Sequence, residues 1–339
     1  MAEYDVTLWH GSGLTSPTDL RNQVSWAESG LGVKLRIHGN KKRSMPLVLS
    51  SRKKSLTPQE LAKAFVELFD HDSKRMVICV DGGTGASRVA QYMMPAVLSP
   101  SDDLGEHIVV GASDSSVYTL WATLMHAAVG FYGVNFMGSR NVLLEALYRV
   151  REWVEEPNKR IEAFFHVQNI TDVPLEKTPY TVVPACLRTL IQITGPMQRL
   201  LLNYLSSKPC LLLVEDSYPA GDLNWIGFYE DLTCLAPYIH AVAEGGGAIG
   251  FGPVPGAATR EGLAQMGYDF KPLSTAGIVR DTLRWLDVQI PALCNVCFGH
   301  HSPDASGLVI ASGARAKVSL KDNCLVLDER EGNALGCND

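Results

Sequence analysis

The chain has 339 residues, 46% of them hydrophobic and 19% charged, a globular composition that leaves no case for a disordered chain. Its net charge of −6 argues against nucleic acid or an anionic membrane surface as a partner. At this length two domains of ordinary size are expected.

The N-terminal stretch Met1–Leu14 lacks a basic segment, an apolar core and a small-residue cleavage site. No apolar run approaches the roughly 18–20 residues that a spanning helix needs. The eight cysteines, with Cys79 and Cys210 inside strand-like runs, suit a reducing compartment. These features predict a cytoplasmic protein.

In chain order, Tyr4–His10 reads as a strand that ends in Gly11-Ser12-Gly13. A helix with apolar spacing follows over Thr18–Ser29 and stops at Gly30. Gly32–Gly39 is a second strand. Asn40–Ser55 is a polar loop, and its basic pieces Lys41-Lys42-Arg43 and Arg52-Lys53-Lys54 read as solvated. Leu56–His71 opens with Thr57-Pro58, a cap and first-turn pair, and is a helix. Arg75–Gly83 is almost wholly apolar, as a buried parallel strand should be. Gly85–Leu98 is its helix, Glu106–Ser113 a fourth strand, and Ser116–Phe131 the helix after it.

Strand–helix alternation of this kind predicts a doubly wound parallel sheet over residues 1–168. Ligands of such sheets sit beyond the carboxyl ends of the strands, so the loops Gly11–Gly13, Asp81–Gly85 and Gly111–Ser116 are the ones to watch. After Arg160 the pattern changes. Prolines and threonines cluster from Asn169 to Pro184. Short strands then follow at Lys208–Ser217, Gly245–Val254, Ala314–Leu320 and Asn323–Glu329. Residues 169–339 are expected to form a smaller, sheet-rich, barrel-like domain.

Ser113 stands where a strand turns into a helix, with Gly111 two residues before it. Small neighbours at such an elbow let the serine hydroxyl project from the top of the sheet. The Asp114 N–H then points into the same space, at a helix N-terminus suited to an oxyanion. Ser115 stands where the motif usually has its last glycine. The plainer alternative is a helix cap, which serine and aspartate also make. Asp81-Gly82-Gly83-Thr84-Gly85 allows close backbone approach but fits neither the dinucleotide fingerprint nor a phosphate-binding loop. It serves as a tight turn or as a donor of an N–H to a reacting oxygen. Glu215 and Asp216 end an apolar strand, placed to orient a histidine or to meet solvent. Cys294, Cys297, His300 and His301 lie close in sequence. The adjacent histidines diverge and lack zinc-site spacing, so no metal is expected. A histidine in the glycine-flanked turn at His300 can instead serve as a general base. Ser113, Glu215 and His300 each follow an apolar strand, which is the logic of a catalytic triad.

Four segments resemble the family of LD-carboxypeptidase and microcin C immunity serine peptidases. They are Val80–Met93, Val109–Leu124, Cys210–Tyr218 and Ile290–Leu320. They correspond in order to the family's glycine loop, its nucleophile segment, its strand ending in Glu-Asp and its closing Phe-Gly-His segment. The resemblance implies an N-terminal α/β domain, a sheet-rich C-terminal domain and an active site between them. It implies Ser113 as nucleophile, His300 as general base and Glu215 as the orienting carboxylate. The N–H groups of Asp114 and Gly83 would form the oxyanion hole. It also implies catalysis without metal or other cofactor, and a homodimer.

The sequence departs from the family pattern at Ala112, Asp81 and Thr84, which stand where an aromatic, an arginine and an aromatic are usual. Met137-Gly138-Ser139 and Gly195-Pro196-Met197 replace two further family steps. An intact triad in altered surroundings points to retained amide hydrolysis with a shifted substrate, so Thr84, Asp81 and Ala112 become the candidate substrate-binding positions. The expected substrate is a murein-type peptide with a D-residue or a peptidyl-nucleotide. Two alternatives stand beside it. One is a catalytically silent ligand-binding or regulatory protein of the same fold, and the other is a nucleotide binder using the two glycine loops.

Overall fold

A computed structural model of the chain describes residues 4–11, 15–31, 34–39, 56–69, 73–83, 85–93, 107–125, 128–156, 162–175, 179–217, 224–253, 274–301, 308–321 and 324–328. Thr84, the loop over 40–55 with its basic pieces, and most of the first glycine turn therefore lie outside the described residues.

The strands are β1 (Asp5–His10), β2 (Arg36–Gly39), β3 (Arg75–Cys79), β4 (Ile108–Gly111), β5 (Val129–Tyr132), β6 (Glu162–His166) and β7 (Gln168–Asn169). Then come β8 (Tyr180–Cys186), β9 (Cys210–Glu215), β10 (Ala248–Phe251), β11 (Ala292–Cys294), β12 (Ile310–Ser312), β13 (Arg315–Lys321) and β14 (Cys324–Asp328). The helices are α1 (Pro17–Leu31), α2 (Pro58–Val66), α3 (Ala86–Ala90), α4 (Ser116–Leu124) and α5 (Arg140–Glu155). They continue with α6 (Leu187–Gln192), α7 (Pro196–Ser206), α8 (Asn224–Cys234), α9 (Ala236–Glu244) and α10 (Thr275–Trp285). Two compact units divide the chain. The first takes Met1–Lys159 with Gln192–Leu201 and Asp304–Gly313; the second takes Arg160–Ile191, Leu202–Pro303 and Ala314–Asp339.

The first unit is built on a sheet in the order β12-β5-β4-β3-β1-β2. Strands β1 to β5 run parallel and β12 joins antiparallel to β5. Every residue of β3 and β4 is buried, which explains their unbroken apolar sequences. The Thr57 hydroxyl caps α2 by accepting from the Glu60 N–H, and the Glu60 carboxylate accepts from the Thr57 N–H at 2.7 Å.

One sequence expectation is overturned here. The helix after Ser113 ends at Leu124, and Val129–Tyr132 is a strand. An apolar run this short has no decisive period of its own. What settles it is packing: a Cβ at Gly130 would run into the Thr119 carbonyl oxygen, so the glycine lets α4 lie directly on β5. The second strand is also shorter than expected, beginning at Arg36.

Helix α4 is anchored from below by aromatic side chains. The Phe65 ring of α2 packs tilted or edge-on with its centroid 4.6 Å from that of Tyr118 and 5.5 Å from that of Trp121, both on α4, and 5.1 Å from that of Trp9 of β1. Burial of these rings, each worth on the order of 2–3 kcal/mol, fixes the helix against the sheet.

The second unit contains a sheet in the order β6-β14-β13-β8-β9-β10-β11-β7. Its middle strands β8 to β11 run parallel, while β7 and the set β13, β14, β6 are antiparallel. Helices α8, α9 and α10 connect the parallel strands β9, β10 and β11. The unit is thus sheet-rich, with α/β crossovers inside it. The proline-containing segment Tyr180–Cys186 is one of its central strands. Strand β13 pairs with β8 at Tyr180 and Thr181, and the Val182 N–H donates to the Ala314 carbonyl at 2.9 Å, so among the described residues Pro184 lies beyond this pairing and is paired with Leu213 of β9 alone, a place that tolerates a missing N–H.

Candidate active site

Strand β4 ends at Gly111, Ala112 is extended, and Ser113 takes a left-handed backbone with φ of +59°. This conformation costs a non-glycine residue about 1–2 kcal/mol. A turn of 3-10 helix over Ser113–Ser115 then leads into α4. Neither this turn nor α4 has a side-chain cap. The serines therefore do not cap the helix, and the strained elbow needs another reason.

Three side-chain hydrogen bonds hold the elbow. The Asn135 carboxamide clamps Ala112: its Oδ1 accepts from the Ala112 N–H at 2.9 Å and its Nδ2 donates to the Ala112 carbonyl at 3.0 Å. The Ser113 N–H donates to the Tyr132 hydroxyl at 3.2 Å. The turn also closes on itself, the Ser115 N–H donating to the Ala112 carbonyl at 3.2 Å.

The glycine loop after β3 lies against this turn. A Cβ on Gly82 would stand 2.7 Å from Ser113 Cβ and 3.0 Å from Ser113 Oγ. Ser115 Oγ donates to the Asp81 carbonyl at 2.7 Å, tying loop and elbow together. The Asp81 carboxylate is occupied by the Thr15 hydroxyl at 2.8 Å. Asp114 is buried and turned toward the same loop, its carboxylate accepting from the Ala86 N–H at 2.6 Å at the start of α3. Gly83 is exposed, with φ of +79°. Ser113 is half-buried.

In the second unit β9 delivers Glu215, whose side chain is fully buried, at its carboxyl end. After β11 the chain turns through left-handed Asn295 and Gly299 into a short 3-10 helix, Gly299–His301. There His300 Nδ1 lies 2.8 Å from Glu215 Oε2 and 3.1 Å from Oε1. The His300 backbone N–H donates to the same carboxylate at 3.3 Å. With the carboxylate ionised, the proton sits on Nδ1 and Nε2 keeps its lone pair, in a ring 27% exposed. Burial presses the His300 pKa down. The Glu215 hydrogen bond and the charges of Glu215 and Asp216 press it up, and the net shift is upward from 6.5.

Asp216 is buried beside them, its carboxylate accepting from the Arg188 N–H at 2.9 Å at the start of α6. Cys294 is buried in β11, and burial holds its thiol up at about 12. Cys297 is half-exposed, with its sulfur 3.4 Å from the Asn295 carbonyl. Strand β11 stops at Cys294, where left-handed Asn295 breaks the extended backbone before Cys297. Among the described residues no group of three or more His, Cys, Asp or Glu is placed to hold a metal ion. None of the described helices is long and apolar enough to cross a membrane.

Ser113, Asp114, Ala112, Asp81 and Gly83 thus gather at one turn of the first unit, and Glu215 and His300 pair in the second. Thr84 lies outside the described residues, as does the His301 side chain. Sequence reasoning missed Asn135, Tyr132 and Gly82. The first two lie just beyond the helix expected over Ser116–Phe131, in a stretch given no element. Gly82 was visible only as one glycine of a loop.

Residues 10–133 match the family described as the LD-carboxypeptidase N-terminal domain. None of the curated proteins compared matches the chain. Among solved structures, muramoyltetrapeptide carboxypeptidase from Oxalobacter formigenes superposes with a TM-score of 0.60 at 18% identity, over 95% of this chain and 97% of that one. An MccF-like protein from Bacillus anthracis gives 0.60 at 13% identity, over 96% and 97% of the two chains. MccF in complex with glutamyl sulfamoyl guanosine gives 0.61 at 14% identity, over 97% of each. At such identities the likeness to these structures is one of fold, while the family match supports a peptidase-like function at family level. Residues 10–133 are thus similar to the LD-carboxypeptidase N-terminal domain family, and the chain shares its fold with muramoyltetrapeptide carboxypeptidase and the microcin immunity protein MccF.

Proposed function

We propose that the protein is a serine-type amide hydrolase of the LD-carboxypeptidase kind, acting through Ser113, His300 and Glu215. The observation that carries this reading is the buried carboxylate of Glu215 held 2.8 Å from His300 Nδ1, which leaves Nε2 as a base. A histidine fixed in this tautomer and stabilised on protonation is what a serine nucleophile needs.

In the first step Ser113 Oγ attacks the amide carbonyl carbon while His300 Nε2 takes its proton. The carbonyl oxygen becomes an oxyanion that meets the N–H groups of Asp114 and Gly83. His300 then gives its proton to the leaving amine, and an acyl ester remains on Ser113. Water, deprotonated by His300, adds to the ester, and Ser113 leaves with its proton restored. The left-handed backbone of Ser113 supports the role, since strain of this kind persists at turns that present a side chain.

The substrate in this reading is a murein-type peptide with a D-configured residue or a peptidyl-nucleotide. Solved MccF structures hold glutamyl sulfamoyl guanosine and aspartyl sulfamoyl adenosine, which are aminoacyl nucleoside analogues. Asp81, Thr84 and Ala112 are the candidate substrate-selecting positions. The reading includes a homodimer in the cytoplasm, and the free cysteines among the described residues agree with a reducing compartment.

Mass spectrometry of reactions with a murein tetrapeptide and with a peptidyl-adenylate, each against a Ser113→Ala control, tests the proposal. Cleavage of one substrate by the wild type and loss of product in the control are expected. Wild-type cleavage that survives Ser113→Ala, or binding of both compounds without product, overturns it. The second result identifies a silent ligand-binding relative instead.

A further inference from the structure

We propose that Asn135 and Tyr132 are positioning residues that hold Ser113 in its left-handed, attacking conformation; this rests on the assignment of Ser113 as nucleophile.

The Ser113 turn is a strained segment whose backbone is satisfied by side chains. Ala112 has both its N–H and its carbonyl taken by one carboxamide, that of Asn135, at 2.9 and 3.0 Å. The next N–H, that of Ser113, goes to the Tyr132 hydroxyl at 3.2 Å. Together these bonds fix the peptide units on both sides of the Ala112 Cα, and the second of them, the Ala112–Ser113 unit, is one of the two whose relative rotation sets φ of Ser113 at +59°.

A clamp holds only if it is itself held. Tyr132 is fully buried at the end of β5. The Gly133 N–H donates to the Gly111 carbonyl at 3.1 Å, which extends the pairing with β4. Beyond Asn135 the chain crosses to the end of β3, where the Phe136 N–H donates to the Cys79 carbonyl at 2.8 Å and the Met137 N–H to the Val80 carbonyl at 2.9 Å. Asn135 is thus pinned between the strand that ends in the nucleophile turn and the strand that ends in the glycine loop. Its Nδ2 would stand 3.2 Å from a Cβ on Gly82, so it also borders the place where that loop meets Ser113.

The arrangement has a chemical consequence. Because the Ser113 N–H is engaged by Tyr132, it is not the donor to an oxyanion, and that task falls to N–H groups further along the turn and in the glycine loop.

The experiment compares Asn135→Ala, Asn135→Asp and Tyr132→Phe with the wild type. Aspartate keeps the volume of asparagine and the acceptor for the Ala112 N–H. It puts an oxygen where Nδ2 donates to the Ala112 carbonyl. A residue that only fills space would tolerate it; a clamp would not. Three readouts are taken: the rate of Ser113 labelling by a fluorophosphonate, kcat and KM on the cleaved substrate, and the thermal midpoint. Displacement of a reacting group by about 1 Å costs roughly 10²-fold, so Asn135→Asp and Asn135→Ala should label and turn over ten- to a hundredfold more slowly at unchanged KM. Tyr132→Phe should show a smaller fall of the same kind. Asn135→Asp with wild-type labelling and kcat overturns the proposal, and it stands in for Asn135→Ala if the alanine variant does not fold. If the wild type neither labels nor cleaves, the nucleophile assignment fails separately. The clamp is then decided by the crystal structure of Asn135→Asp: φ of Ser113 leaving the left-handed region supports it, and φ staying there overturns it.

Discussion

Gly82→Ala is the sharpest probe of the candidate site. The added methyl would stand 2.7 Å from Ser113 Cβ and 3.0 Å from its hydroxyl oxygen. Carbon atoms in contact rest about 3.5–4.0 Å apart, so the overlap with Ser113 Cβ is about 1 Å. The obstructing atom is next to the backbone and cannot rotate away. The turn behind it is held by Asn135 and Tyr132, so either Ser113 or the glycine loop must move by a comparable distance. Overpacking of this size costs about 1–3 kcal/mol in stability, and misplacing a nucleophile by ~1 Å costs roughly 10²-fold in rate. The assay is kcat and KM on the cleaved substrate beside a thermal melt. A fall in kcat of roughly a hundredfold with KM close to wild type is expected, in a protein that still unfolds cooperatively. Wild-type kcat in a folded Gly82→Ala variant refutes the reasoning, because it would mean that the loop and the serine do not share this space during catalysis.

The raised pKa of His300 carries two further predictions and the packing of Gly130 a third. In the proposed mechanism His300 acts as a neutral base, and its pKa is raised from 6.5, so the acid limb of kcat/KM should fall above that value; Glu215→Gln, which removes the charge and leaves burial in place, should lower the maximum rate and move the limb to lower pH. In stability terms the raised pKa adds a contribution fully present below pH 6.5 and lost as pH rises through the folded value, so chemical denaturation across that window should show a loss that Glu215→Gln reduces; a limb and a stability profile unchanged in the variant would exclude the pairing as the cause. Gly130→Ala places a methyl against the Thr119 backbone and should destabilise the first unit by about 1–3 kcal/mol, read as an earlier urea midpoint, whereas a neutral effect would show that α4 does not rest directly on β5.

Much of the frame was legible from residue order alone. The apolar runs at β3, β4 and β9 read as buried strands because parallel strands are covered on both faces, and the fold comparisons agree with an α/β unit joined to a sheet-rich one. Thr57-Pro58 announced a helix start because a cap and a first-turn proline are local devices, and the structure adds Glu60, which completes a capping box. Ser113, Glu215 and His300 could be singled out as polar residues just beyond apolar runs, for the same local reason.

The tertiary structure decided what depends on residues far apart in the chain. Val129–Tyr132 becomes a strand because β4 and β12 pair with it, and β12 comes from a segment some 180 residues later. Pro184 is tolerated in a central strand because β13 ends before reaching it. The capping alternative for Ser113 falls because neither its turn nor α4 has a side-chain cap, and the turn is held instead by Asn135 and Tyr132, about twenty residues downstream, whose bonds no spacing announces. Sequence by itself determined where strands end and polar side chains emerge, because those are properties of a few consecutive residues. Which carboxylate meets which histidine, and what holds a serine in a strained turn, only packing could decide, because those bonds join segments that adjoin only in the folded chain.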